Sequence, residues 1–269
     1  MLACDDIGIS FGRHAVLRGL SLGVGPGELV AVIGPNGAGK TTLFQALSGT
    51  LPVDRGDVRL DERPLRSWPR SVLARRRAVL QQASALSFPF RVLDVVLLGR
   101  GPHAGRSTRA ADLRVAEQAL HETDMLPLAD RLYTTLSGGE KQRVHLARVL
   151  AQVWRSPADA GVDTDDDGAT ARYLLLDEPT NNLDLSHQQA IMATARRFAE
   201  AGNGVLAILH DPNLAACYAD RVCVIADGRV IEDGPADRVF KPALFKDTFG
   251  LDVTRLRHPA RDRPVVVPA

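Results

Sequence analysis

Two stretches of this sequence combine residue types that can act together on a polyphosphate. In GPNGAGKT, Gly34 to Thr41, the glycines let a backbone wrap so that successive N–H groups face one point. The string fits G-x-x-x-x-G-K-[ST]: Gly34, Pro35, Asn36, Gly37, Ala38 and Gly39 form a cradle, and Lys40 reaches the β and γ phosphates. The Thr41 hydroxyl ligates Mg²⁺, and Thr42 completes the residues expected at the nucleotide. In YLLLDEP, Tyr173 to Pro179, Asp177 at the end of an apolar run can hold Mg²⁺ through water. Glu178 then stands where it can polarise a water for attack on the γ-phosphate. An acidic pair ending a strand is often only a loop start or helix cap; joined to the phosphate loop it reads as a nucleotide hydrolysis site. A third stretch, TLSGGEKQR from Thr135 to Arg143, places a serine and two glycines before a helix-favouring run. That is the pattern of a helix N-terminus that holds an anion, and it raises the question of a second phosphate contact.

Placing these residues requires a strand, a loop and a helix in order. ELVAVIG, Glu28 to Gly34, reads as the strand, and KTTLFQALSG, Lys40 to Gly49, as the helix with Gly49 as its stop. YLLLDEP and GVLAILH, Gly204 to His210, lack strict alternation and read as strands buried on both faces of a parallel sheet. Between them HQQAIMATARRFAEAG, His187 to Gly202, has helical periodicity and closes a β-α-β unit. RVCVIADGRVIEDG sets Asp227 and Gly228 between two apolar runs, a hairpin signal. From Ala83 to Ala151 the runs are helix-like, which reads as a helical subdomain inserted into the α/β core. Ser156 to Ala171 has no periodicity and reads as an exposed loop. Within it DTDDDG, Asp163 to Gly168, matches half of a calcium loop, but the twelfth position is Leu174 rather than Glu, so a solvated acidic loop is expected.

Bulk properties narrow the partners. With 33 basic and 32 acidic residues the net charge is +1, so no global field attracts nucleic acid or an anionic membrane, and anion binding must be local. Cys4, Cys217 and Cys223 have neither the number nor the spacing of a disulfide framework or zinc site, and read as thiols of a reducing cytoplasm. The N-terminus lacks a secretory signal pattern, and apolar runs such as GVLAIL are far short of the roughly 20 residues that cross a bilayer. Work at a membrane would need a partner chain. A GTPase would show a guanine-reading Asn-Lys-x-Asp motif, which is absent, and a small-molecule kinase would need a lid and acceptor site that the sequence does not advertise.

LSGGEKQR, LLLDEPTNNLD and an isolated His210 after a strand, in this order behind the phosphate loop, resemble the nucleotide-binding subunit of the ATP-binding cassette (ABC) family over essentially the whole chain. The resemblance implies an α/β P-loop NTPase (RecA-like) core with an N-terminal antiparallel β subdomain and an inserted α-helical subdomain. The expected division is residues 1–82 and 152–240 for the ATP-binding core, 83–151 for the helical subdomain and 241–269 for a tail. It further implies that Phe11 stacks on adenine and that Gln82 touches Mg²⁺ or the lytic water, with Gln81 as the adjacent alternative. Mg²⁺ would then be held by Thr41, Gln82 and Asp177. His210 would hydrogen-bond the γ-phosphate and orient Glu178, and Asp184 would contact a partner chain's phosphate loop. Ser137, Gly138, Gly139 and Glu140 would close over the γ-phosphate of ATP held by a second copy in a head-to-tail dimer. Glu140 stands where many members have Gln, a change expected to leave the glycine contacts intact.

Within that family, FPFRVLDVVLLGRGPH (Phe88 to His103) and FGLDVTRLRHP (Phe249 to Pro259) look like the iron-chelate, cobalamin and haem importers. The extra loop before ARYLLLDEP resembles the haem branch. The expected function is an ATP hydrolase that drives haem (haemin) import, with ferric-siderophore or cobalamin import, or a soluble non-transport ABC ATPase, as alternatives. The implied partners are an integral membrane permease dimer, met near Phe88 to Arg91, and a periplasmic substrate-binding protein. The implied location is the cytoplasmic face of the inner membrane.

Overall fold

The computed structural model describes residues 1–81, 88–154, 171–181 and 183–269. Gln82 and the DTDDDG segment lie outside the described residues. The chain divides into two compact units, Met1–Ser67 with Phe198–Ala269, and Trp68–Arg197.

In the first unit, β1 (Leu2–Phe11) and β2 (His14–Val24) form an antiparallel pair. Leu2, Cys4, Ile7 and Ile9 of β1 all face the core, although Cys4 and Ile7 are three residues apart. An irregular register between them, with Asp6 at φ 46, absorbs the odd residue and keeps both side chains on one face. β3 (Leu29–Ile33) is buried throughout and leads through the phosphate loop into α1 (Lys40–Leu47), which ends before Gly49 at φ 68. β4 (Arg55–Leu60) and β5 (Arg63–Pro64) complete a four-stranded antiparallel sheet in the order β2-β1-β4-β5.

The second unit begins with α2 (Arg70–Arg76) and β6 (Arg77–Leu80). It continues with α3 (Val92–Leu97), α4 (Arg109–Glu122) and α5 (Gly138–Val153), which pack on one another. Among the described residues, the only strand-like pairing between residues 88 and 154 is an isolated bridge from Arg91 to Leu132. β7 (Tyr173–Asp177), wholly buried, runs parallel to β6, and α6 (Leu185–Glu200) follows. The helix starts at Leu185, ahead of the periodic His187 run, because the Asp184 carboxylate accepts the His187 backbone N–H as a cap.

Two close contacts fix α5. An added Cβ at Gly99 would lie 2.1 Å from the Arg148 carbonyl oxygen, so only glycine lets the backbones meet there. Buried Arg100 then donates to the Ala151 carbonyl at 2.8 Å, the Trp154 carbonyl at 2.9 Å and the Asp112 carboxylate at 2.8 Å, and satisfies the helix's terminal acceptors.

Back in the first unit, β8 (Gly204–Ile208) is parallel to β3 and followed by α7 (Pro212–Tyr218). β9 (Arg221–Ala226) is parallel to β3 on its other side and turns into antiparallel β10 (Arg229–Gly234). The predicted hairpin is present, with Asp227 at φ 48 and Gly228 at φ 73. α8 (Ala236–Val239), α9 (Pro242–Phe249) and the β11 (Val253–Arg257) to β12 (Pro264–Pro268) hairpin end the chain. Burial pushes the Cys4 thiol up to about 12 and that of Cys223 further, so both are held protonated. No described helix is long and apolar enough to cross a membrane.

Candidate nucleotide site

The phosphate loop leaves the C-terminal end of β3 and enters α1 with three demands that only glycine meets. A Cβ at Gly34 would stand 2.1 Å from the Ile225 carbonyl oxygen. Gly39, at φ 97, caps the helix with its would-be Cβ 2.8 Å from Leu17 Cδ2. Gly37 lies at φ 79 with nothing near it, on an open edge. Lys40 is buried, and its ammonium donates to the carbonyls of Gly34 at 2.7 Å and Pro35 at 2.8 Å. The cation is thus folded back over the loop. The first turn of α1 carries no acidic residue, so its N–H groups and dipole favour an anion without a competing carboxylate. Thr41 is exposed there, and Phe11 at the end of β1 is 54% exposed, an uncovered aromatic face.

His210 stands two residues past the end of β8 and is exposed. Because β3 and β8 are parallel neighbours, extended by Leu209 N–H donating to Val32 at 3.0 Å, the phosphate loop and His210 leave the same end of the sheet. Asp211 caps the helix behind it by accepting the Asn213 N–H at 2.7 Å.

In the second unit the buried Asp177 ends β7, and Glu178 turns the chain at φ 48, a backbone conformation that L residues seldom adopt. The Asn181 side-chain amide donates to the Glu178 carboxylate, and the Asn181 N–H to the Glu178 carbonyl at 3.2 Å. Gln142 of α5 donates to the Pro179 carbonyl at 3.3 Å, which ties α5, the helix opened by the LSGGEKQR signature, to the acidic turn.

Ser137 caps α5. Its hydroxyl accepts the Glu140 N–H at 3.3 Å while the Glu140 carboxylate accepts the Ser137 N–H at 2.7 Å, a reciprocal capping box. The Ser137 N–H, foremost, holds the Glu140 carboxyl below the usual glutamate value. Gly138 meets nothing within 4 Å of a would-be Cβ, so its backbone is open to a ligand. Asp184 is exposed, with one carboxylate oxygen accepting from the Ser186 hydroxyl at 2.8 Å, the His187 N–H at 2.9 Å and His187 Nδ1 at 2.7 Å. These bonds, the His187 N–H first, depress its carboxyl to about 2.

Residues 17–154 match the family described as ABC transporter. The chain belongs to that family. Among its relatives, hemin import ATP-binding protein HmuV of Gloeobacter violaceus is 46% identical over 100% of this chain and 94% of its own length. The protein of the same name from Myxococcus xanthus is 49% identical over 96% and 92%. A chain from an inward-facing transporter described as of metal-chelate type shares the fold at a TM-score of 0.80, with 24% identity, 100% of this chain covered and 96% of that one.

Within this ABC chain, two contributions escape a motif reading. Glu140, besides standing in the signature, closes a capping box with Ser137 that its S-x-x-E spacing could have announced and that Gln would close equally. The Asp227-Gly228 turn does more than join two strands. Gly228 N–H donates to the Ala38 carbonyl at 3.2 Å, and a Cβ on Gly228 would stand 2.0 Å from the Val16 carbonyl oxygen. The hairpin turn therefore buttresses the phosphate loop, a role that no local signal reveals.

Proposed function

We propose that this chain is the ATP-hydrolysing subunit of a haem (haemin) importer, working as two copies against a membrane permease. The hemin-import names of full-length relatives near half identical to it carry the cargo assignment. The capped Ser137 helix start with open Gly138 supports the two-copy reading, since such an N-terminus suits a phosphate that its own chain need not hold.

In this reading the phosphate-loop N–H groups bind the ATP phosphates and Lys40 leaves its two loop carbonyls for the β and γ oxygens. Glu178 polarises the attacking water and His210 hydrogen-bonds the γ-phosphate. For magnesium, Thr41 would offer a hydroxyl and Asp177 a carboxylate, both hard oxygens, and no group of three or more His, Cys, Asp or Glu side chains that could hold a metal ion is found among the described residues. A cation held mainly by phosphate oxygens needs no larger protein cage, and when bound it neutralises charge that builds on the β and γ phosphates. Gln82 would be its further protein contact. Phosphate loss weakens the two-copy sandwich and returns the permease to its other state. The complex would sit at the cytoplasmic face of the inner membrane and be fed by a periplasmic binding protein.

The test is ATP hydrolysis by the complex reconstituted with its permease, with binding protein loaded by haem, a ferric siderophore or cobalamin. Stimulation by the haem-loaded protein is expected; stimulation only by another cargo would overturn the assignment.

A further inference from the structure

His187 belongs to none of the motifs, yet its imidazole borders two of them. Nδ1 lies 2.7 Å from the Asp184 carboxylate, which also accepts the His187 backbone N–H at 2.9 Å. A carboxylate only accepts, so Nδ1 carries the proton and donates. The ring also borders Gly139: an added Cβ there would lie 3.3 Å from Cγ and 3.4 Å from Cδ2 and Nδ1. A side chain there would press on the ring, so the lack of one at Gly139 is what gives the imidazole its room. Gly138, one residue earlier, has open space instead.

We infer that His187 is a positioning residue that links Asp184 to the placement of Gly138 and Gly139. The inference rests on the two-copy reading above, in which a second copy engages Asp184. That carboxylate is reachable, its side chain being 64% exposed against 28% for His187. While it faces its own chain, it holds the ring through Nδ1. When a second copy draws the carboxylate away, Nδ1 loses its acceptor and the ring turns to find another. The ring borders the space left by the missing Gly139 side chain, so a turned ring enters that space and crowds Gly139, at the start of the helix that faces the partner's phosphate. Engagement at one segment thereby sets the aim of the other.

The experiment measures kcat and KM for ATP of the full chain purified with its permease, together with ATP affinity of the single chain at high dilution. His187→Phe keeps a ring beside Gly139 and removes the donor; His187→Ala removes both; Asp184→Asn and the Asp184→Asn/His187→Ala pair complete a double-mutant cycle. Both His187 variants are expected to lower kcat about tenfold, the scale of one hydrogen bond to a charged group. Single-chain ATP affinity should change less than about twofold. The double variant should be no slower than Asp184→Asn alone. Unchanged kcat in either His187 variant, or losses that simply multiply in the cycle, would overturn the link. If His187→Ala does not fold, His187→Phe, which preserves volume, decides. A wild-type complex that fails to hydrolyse ATP would instead sink the proposed function itself.

Discussion

The Asn181 side-chain amide donates to the carboxylate of Glu178, three residues before it, across a turn that Glu178 enters at φ 48. The bond holds the proposed base in one orientation against a backbone that would otherwise relax. Asn181→Ala should lower kcat about five- to tenfold with little change in KM, as expected when orientation but not binding is lost. Asn181→Asp replaces the donor by a second carboxylate that repels Glu178, so it should lower kcat at least as far as Asn181→Ala. Wild-type kcat in both variants would refute the contact.

Gly228 supports the phosphate loop from outside its motif. Gly228→Ala must shift the Val16 carbonyl or the turn itself, at φ 73, and should cost at least about 2 kcal/mol of stability. It should also weaken ATP binding, because the turn donates to Ala38. Thermal unfolding and fluorescent-nucleotide titration read both effects, and a variant with wild-type values in each would show that the buttress is idle.

The capping box predicts a graded series at Glu140. Gln can return the same bond to Ser137, so Glu140→Gln should unfold near the wild type, whereas Glu140→Ala should lose about 1 kcal/mol. The Glu140 carboxyl is depressed in the folded state, so its contribution is complete above the ordinary value of 4.5 and is lost as pH falls through the lower folded value. The stability gap between wild type and Glu140→Ala should therefore close in strong acid; a gap that persists unchanged there would contradict the charged cap.

In the proposed two-copy arrangement, Ser137 serves the partner's nucleotide and not its own chain's. Ser137→Arg should abolish hydrolysis yet leave single-chain ATP affinity within about threefold, because the signature serves the other copy. Ser137→Asp keeps the cap and adds a negative charge where phosphate is expected, so it should fail in the same way without unfolding α5. A large loss of single-chain ATP affinity in either variant would argue against the two-copy arrangement.

The local backbone shapes were legible in the sequence because they depend on residue type at fixed spacing. Gly34 to Thr41, the Asp177-Glu178 pair and Asp227-Gly228 each specify a backbone shape or a donor set within a few residues, and wholly apolar runs marked β3, β7 and β8 as strands buried on both faces. Contacts between distant segments were not legible. Nothing in the residues around Gly34 says that Ile225 will press on it, and nothing near Gly139 says that the His187 ring will border it. Such pairs are decided by how strands and helices pack once the chain has closed on itself, a many-body outcome of volume and register that no local motif records. The sequence by itself determined which groups could act on a nucleotide; the tertiary structure decided which residues hold them in place.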